Sequence, residues 1–227
     1  NGYIENKGQV LDQNEQVNTD VKFLFNAINF KVQLKKNSIS YDTYIKEIFE
    51  TTDEEIQSYE NKDIQYKYYF HRVDIEFINA NPNPTIEVFA PLEGHLNYFP
   101  KNSNGEGIQN IKSYKKVIYK DLYPHIDLEF IVDNNQPKYN FILHSGADIN
   151  SIQWKYIGAN STKIVDGKIQ IELANGLLKE DIPLSFYKNS NQEKVRIQYK
   201  KLGENHFSFY SPDFLNSENT LVIDPVP

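Results

Sequence analysis

Apolar residues recur at every second position along most of this chain, a period that suits extended strands and defeats helices. Phe23 and Phe25, then Phe30, Val32 and Leu34, alternate with polar neighbours. So do Val73, Ile75 and Phe77 against Arg72, Asp74 and Glu76, and Ile126, Leu128, Phe130 and Val132 against Asp127, Glu129 and Ile131. Tyr139, Phe141 and Leu143, then Ile169, Ile171 and Leu173, then Val195, Ile197 and Tyr199, then Phe207 and Phe209, continue the pattern. Each run reads as a strand with one buried face.

The intervening residues are turn formers. Asp133-Asn134-Asn135-Gln136-Pro137 separates two alternating runs, which predicts a hairpin of residues 126–132 and 138–144. Asp166-Gly167 opens a strand over 168–173, and Asn175-Gly176 closes it with the positive φ angles of a tight turn. Strands at intervals of roughly 8–12 residues predict an all-β fold of sandwich type. Residues 43–60 read two ways: Ile45, Ile48, Phe49 and Ile56 share a helical face, while Ile39, Tyr41, Thr43 and Ile45 alternate. The alternation favours a strand to about residue 49, then a charged loop with one helical turn. The 227 residues suit a single module, 1–227, with Asn104-Gly105-Glu106-Gly107 marking a division into packed lobes 1–107 and 108–227 as the alternative.

Composition removes whole classes of function. No cysteine means no disulfide, thiolate metal site or thiol nucleophile. A net charge of −7 argues against a nucleic-acid binder. A mean hydropathy of −0.61, with no long apolar run, predicts no transmembrane helix. Aromatic residues make up 14% of the chain, too many for a disordered segment. The absence of methionine, even at Asn1, and the Pro-rich end at Pro225-Val226-Pro227 lead us to expect a signal peptide before Asn1 and further domains after Pro227.

Chemistry-bearing motifs are sparse. His71, His95, His125, His144 and His206 form no metal-ligand spacing and read as structural or surface histidines. Asp74 with Glu76, and Asp127 with Glu129, share strand faces, so neighbouring strands would bring carboxylates to the separations glycosidases use. The ordinary reading is ion-paired or turn-capping groups on outward faces. Asp133-Asn134-Asn135 and Asp53-Glu54-Glu55 offer oxygens of the kind a structural Ca²⁺ takes, without a calcium-loop spacing. Asn160-Ser161-Thr162 matches a glycosylation sequon, and Tyr66, Tyr68, Tyr69 and Phe70 suit either a core or a sugar platform. The one tryptophan, Trp154, falls inside a strand-like run. No nucleophile elbow or phosphate loop occurs, so no catalytic, cofactor-binding or metal residue is assigned.

The chain resembles a known family through several segments. They include Glu5-Asn6-Lys7-Gly8-Gln9, His71-Arg72-Val73-Asp74, Asn97-Tyr98-Phe99, and Tyr114 with Val117 and Tyr119. The densest is Tyr123-Pro124-His125-Ile126-Asp127-Leu128-Glu129-Phe130, followed by Lys138-Tyr139-Asn140-Phe141, Ser145-Gly146-Ala147-Asp148, Tyr156-Ile157-Gly158-Ala159 and Leu221-Val222-Ile223-Asp224-Pro225. This pattern is similar to the N-terminal β-rich domain of large secreted bacterial surface proteins, especially of Bacteroidota. There it precedes SBBP-type propeller repeats, PKD-like modules and gliding-motility or type IX secretion segments. His144-Ser145 stands where that family usually has proline before Gly-Ala-Asp, and Pro212-Asp213-Phe214 where it has Tyr-Asp. The resemblance implies an extracellular, secreted or cell-surface module with no catalytic residue to carry over. Its expected role is non-catalytic recognition or scaffolding, adhesin-like, toward a glycan or protein ligand and the downstream domains of the same chain. The alternative is a carbohydrate-active or carbohydrate-binding β-sandwich using the acidic strand faces. Gly8 and Gly146 are the positions where unusual backbone geometry is expected.

Overall fold

The computed structural model describes residues 1–28, 30–50, 64–99, 106–188, 191–216 and 218–225. Apart from one 3-10 turn, Ile149–Ser151, its regular structure is strand. In chain order these are β1 (Tyr3–Glu5), β2 (Phe23–Asn26), β3 (Phe30–Leu34), β4 (Ser38–Glu50), β5 (Ile64–Phe77), β6 (Thr85–Pro91), β7 (Leu96–Tyr98), β8 (Ile108–Ile111), β9 (Ser113–Tyr123) and β10 (Ile126–Asp133). They continue as β11 (Gln136–Leu143), β12 (Gln153–Ile157), β13 (Ser161–Val165), β14 (Lys168–Leu173), β15 (Gly176–Glu180), β16 (Leu184–Tyr187), β17 (Gln198–Gly203), β18 (His206–Tyr210) and β19 (Leu221–Asp224).

The pairing around β9 makes a sandwich. β6 lies along one edge of β9 from Lys120 to Tyr114, so β10, opposite Lys116–Tyr123, and β1, opposite Ser113 and Tyr114, must share the other edge end to end. One layer then runs β16-β19-β11-β10-β9-β6 and the other β1-β2-β3-β4-β5-β12-β18-β17, joined where β1 meets β9. Strands from both sides of residue 107 interleave, since β1 and β6 pair with β9, and β5 with β12.

Inward positions are the apolar ones the alternation selects. Phe77 of β5 meets Phe141 of β11 edge to face at 5.9 Å, and Phe141 meets Phe209 of β18 at 5.6 Å, so aromatic pairs bridge the layers. Trp154 is buried against Phe207, Phe209 and Tyr199. Burying each such ring contributes roughly 2–3 kcal/mol. β19 is paired on both edges, by β11 and β16, and buries Leu221, Val222 and Ile223. A separate sheet, β13-β14-β15, adds Ile169, Ile171 and Leu173 to the same core.

The turns refine the expectations. The β10–β11 strands run further than 126–132 and 138–144, to Asp133 and back from Gln136, because Asn134 and Asn135 alone form the turn at φ 48 and 62. Asp133 and Gln136 close that two-residue loop, so at the next pair, Val132 with Pro137, ladder N–H groups point outward. Proline's missing donor therefore breaks no bond. The β14–β15 turn sits one residue earlier than expected, on Ala174-Asn175, with Leu173 opposite Gly176. Asp166-Gly167 forms its turn as predicted, and Gly8 and Gly146 both take positive φ. The strand reading holds to Glu50; the expected loop and helical turn beyond it, with Asp53-Glu54-Glu55, lies outside the described residues.

Candidate functional site

The acidic strand faces do not meet. Asp74 and Glu76 project from the outer face of β5, opposite the inward Val73, Ile75 and Phe77, while Asp127 and Glu129 project from the outer face of β10. β5 and β10 belong to opposite layers, so the core lies between the two pairs. Each layer also supplies partners. Asp74 accepts from Ser40 and from Lys35 at 3.2 Å. Glu76 sits across from Lys155. Glu129 is 2.8 Å from Lys116 and accepts from Asn140 at 3.2 Å.

Asp127 is the most enclosed of the four. It is bonded to Lys120, accepts the Asp121 N–H at 2.9 Å, and lies 2.8 Å from His144 Nε2. Burial pushes its carboxyl up, but the bonds from Lys120, Asp121 and His144 outweigh that and hold it below the usual carboxylate range. It ties β10 to the ends of β9 and β11.

Other sequence candidates resolve into structural roles. His71 bridges the Gly158 carbonyl, at 2.9 Å, and the Ala174 N–H, at 3.2 Å, so its Nε2 donates and its Nδ1 accepts. Asp133 pairs with Lys138 at 3.1 Å beside the Asn134-Asn135 turn. Among the described residues no group of three or more acidic or histidine side chains is placed to hold a metal ion. In the sequon, Thr162 is buried and donates to Asn205 at 2.8 Å.

The aromatic run Tyr66–Phe70 is not core. Pairing of β3 with β4 stops at Thr43, and pairing of β5 with β12 stops at Asp74. Beyond these points β4 and β5 continue as a two-stranded arm. Its outer face carries Tyr44 opposite Phe70, Lys46 opposite Tyr68 and Ile48 opposite Tyr66. Phe70 is 71% exposed and Ile48 66%. Tyr68 stacks on Phe70 at 6.2 Å, Tyr44 abuts both rings, and the Lys46 ammonium lies 3.4 Å from the Tyr66 ring centre.

At the base of this arm the sandwich opens into a groove of about 720 Å³, a volume in the range of small-ligand sites. Three hairpins build it. Phe30, Tyr41, Thr43, Tyr44 and Ile45 come from β3 and β4; Asp133, Asn134 and Gln136–Lys138 from the β10–β11 tip; and Leu173 and Asn175–Leu178 from the β14–β15 tip. Asn175 pins the last tip in place, accepting from Thr43 at 3.1 Å. No single stretch of sequence signals this groove.

Behind it lies a group that strand alternation alone does not flag. Glu180, at the end of β15, is fully buried and accepts from the Tyr139 hydroxyl at 3.1 Å. Its Oε1, the Tyr156 hydroxyl and Trp154 Nε1 complete no hydrogen bond of normal geometry, although Tyr156 stands against the carboxyl. Burial, only partly offset by Tyr156 and Tyr139, pushes its carboxyl up to about 7. Burial also raises the hydroxyls of Tyr41, Tyr139, Tyr156 and Tyr199.

Residues 3–226 match a protein family described as a domain of unknown function, DUF7948, and the chain belongs to that family. No curated protein and no solved structure gave a match.

Proposed function

We propose that this DUF7948 domain is a non-catalytic recognition module of a secreted or cell-surface protein, holding its ligand at the open end of the sandwich. The observation that carries this reading is the groove itself. Two hairpin tips and the base of the β4–β5 arm, remote in sequence, converge on one largely apolar concavity beside a ribbon of exposed aromatic rings. Large exposed apolar surface on a folded domain marks interaction sites. The extracellular setting rests on the sequence resemblance to N-terminal domains of bacterial surface proteins. Loops and hairpin ends on a rigid sandwich are a common place for recognition.

The stacked pair Tyr68 and Phe70 supports a carbohydrate ligand as a second reading, since exposed ring faces suit sugar stacking. A catalytic role for Asp74, Glu76, Asp127 and Glu129 has no such support, because two carboxylates at glycosidase separations must flank one bond.

The test is a glycan and protein array run beside a hydrolase panel on the purified domain. The expected result is saturable binding without turnover. Hydrolysis abolished by Asp127→Asn or Glu129→Gln would overturn the reading.

A further inference from the structure

The groove borders an unpaired strand edge. β15 pairs with β14 on one side and with no strand on the other among the described residues. Opposite Ile171, Leu178 faces the core side of its sheet, and Leu177 therefore faces away. Both nevertheless line the groove. With Leu173, Asn175 and Gly176 also in its lining, the concavity bends around the β14–β15 tip onto the first residues of β15. Counting from the closing pair Leu173–Gly176, the backbone groups of Leu177 and Lys179 point to the unpaired side of β15, and Leu177 lies at the groove.

Three edges of the large sheet carry protection. β16 is covered by the following chain, with Val195 N–H donating to Ser185 and Tyr187 N–H to Glu193. β6 ends in Ala90 at φ 51 and Pro91. β17 carries Lys200 and Lys201 and a register shift at Gly203. Lysines, prolines and bulges are the usual means of blocking edge pairing. β15 has one such residue, Lys179; before it, Leu177, Leu178 and an apolar groove stand beside the edge.

The charge of the groove selects its occupant. Among the described residues its charged lining groups are Asp133 and Lys138, which neutralise each other at 3.1 Å. In a chain of net charge −7, that uncharged concavity complements an uncharged apolar occupant. Phe30, Ile45, Pro137 and Leu178 provide apolar seats. We infer that the ligand is an extended polypeptide segment with apolar side chains at alternate positions, which adds to β15 as a further strand. Main-chain bonds to β15 supply affinity and the apolar seats supply selectivity. This rests on the recognition reading and names its ligand class.

The experiment selects a displayed library of random peptides, about nine residues long, on the wild-type domain and counter-selects on Ile45→Glu. Ile45 is half exposed, so that variant keeps the core, and a thermal melt confirms folding. The expected result is enrichment of sequences with alternating apolar residues, whose binding shifts the backbone amides of Leu177, Leu178 and Lys179. N-methylation at one alternate set of peptide amides should weaken binding by roughly tenfold or more, and at the other set should not. No enrichment over Ile45→Glu, or equal tolerance of both methylation sets, overturns the inference. A glycan bound at the same groove would overturn strand addition and leave recognition standing; no array ligand of any class would overturn both.

Discussion

Replacing Glu180 by glutamine should remove one defined slice of the protein's pH dependence. The carboxyl sits fully buried among Tyr41, Tyr139, Tyr156 and Tyr199, where no cation among the described residues meets its charge. Its ordinary value of 4.5 rises to about 7 in the folded chain. Between those values the folded state holds a proton that the unfolded state has released. Stability from this group is therefore fully present below pH 4.5, falls as pH rises, and levels off above about 7. At about 1.4 kcal/mol per pH step the total loss is about 3 kcal/mol. Glutamine is neutral throughout and keeps an oxygen for the Tyr139 hydroxyl, now 3.1 Å from the carboxylate. Urea titrations of both proteins from pH 4 to 8 measure it. Subtracting the curves cancels contributions from other groups, and the difference should move in favour of Glu180→Gln by about 3 kcal/mol across that window. Parallel curves would refute the reasoning: Glu180 would then be charged in the fold or not buried.

Three further outcomes follow from the packing. Asp127→Ala should cost about 2–3 kcal/mol, measured by denaturant midpoint, because Lys120 and the Asp121 N–H lose a charged acceptor. Since the Asp127 carboxyl is held below its ordinary value, its contribution is present above that value and lost as pH falls through the lowered one, the opposite sense to Glu180. Gly158→Ala should cost about 2 kcal/mol or more, read by thermal melt, since a Cβ there would lie 2.6 Å from the Arg72 carbonyl oxygen at φ +88. Ending the chain before Leu221 removes three buried aliphatic side chains from between β11 and β16. At roughly 2 kcal/mol each that approaches the whole stability of a domain, so circular dichroism should show loss of the cooperative transition.

The strands were legible because a half-buried strand writes its burial into every second residue. Phe23 to Leu34, Val73 to Phe77 and Ile126 to Leu143 place their buried apolar residues by that rule, although Gln33, Asp127 and Asn140 between them are buried too. Residues 43–50 read less clearly because the arm leaves the core and carries apolar residues on both faces, Ile45 on one and Ile48 on the other. The turn at Ala174-Asn175 was misplaced by one residue because Asn175-Gly176 is itself a strong hairpin signal. Glu180 was readable in principle: with the correct turn, it falls opposite Ile169 on the inward face. The groove was not, since its walls are distant in sequence and only layer packing brings Ile45, Pro137 and Leu178 together. The same packing separates Asp74 from Asp127, which sequence spacing cannot reveal.

The most direct test of recognition at the sandwich mouth is an amide chemical-shift map of the domain titrated with a ligand recovered from the arrays. Shifts confined to residues 41–45, 133–138 and 173–178, with the ligand unchanged after prolonged incubation, are the predicted result. Shifts centred on Asp127 and Glu129, or conversion of the ligand to product, would contradict it.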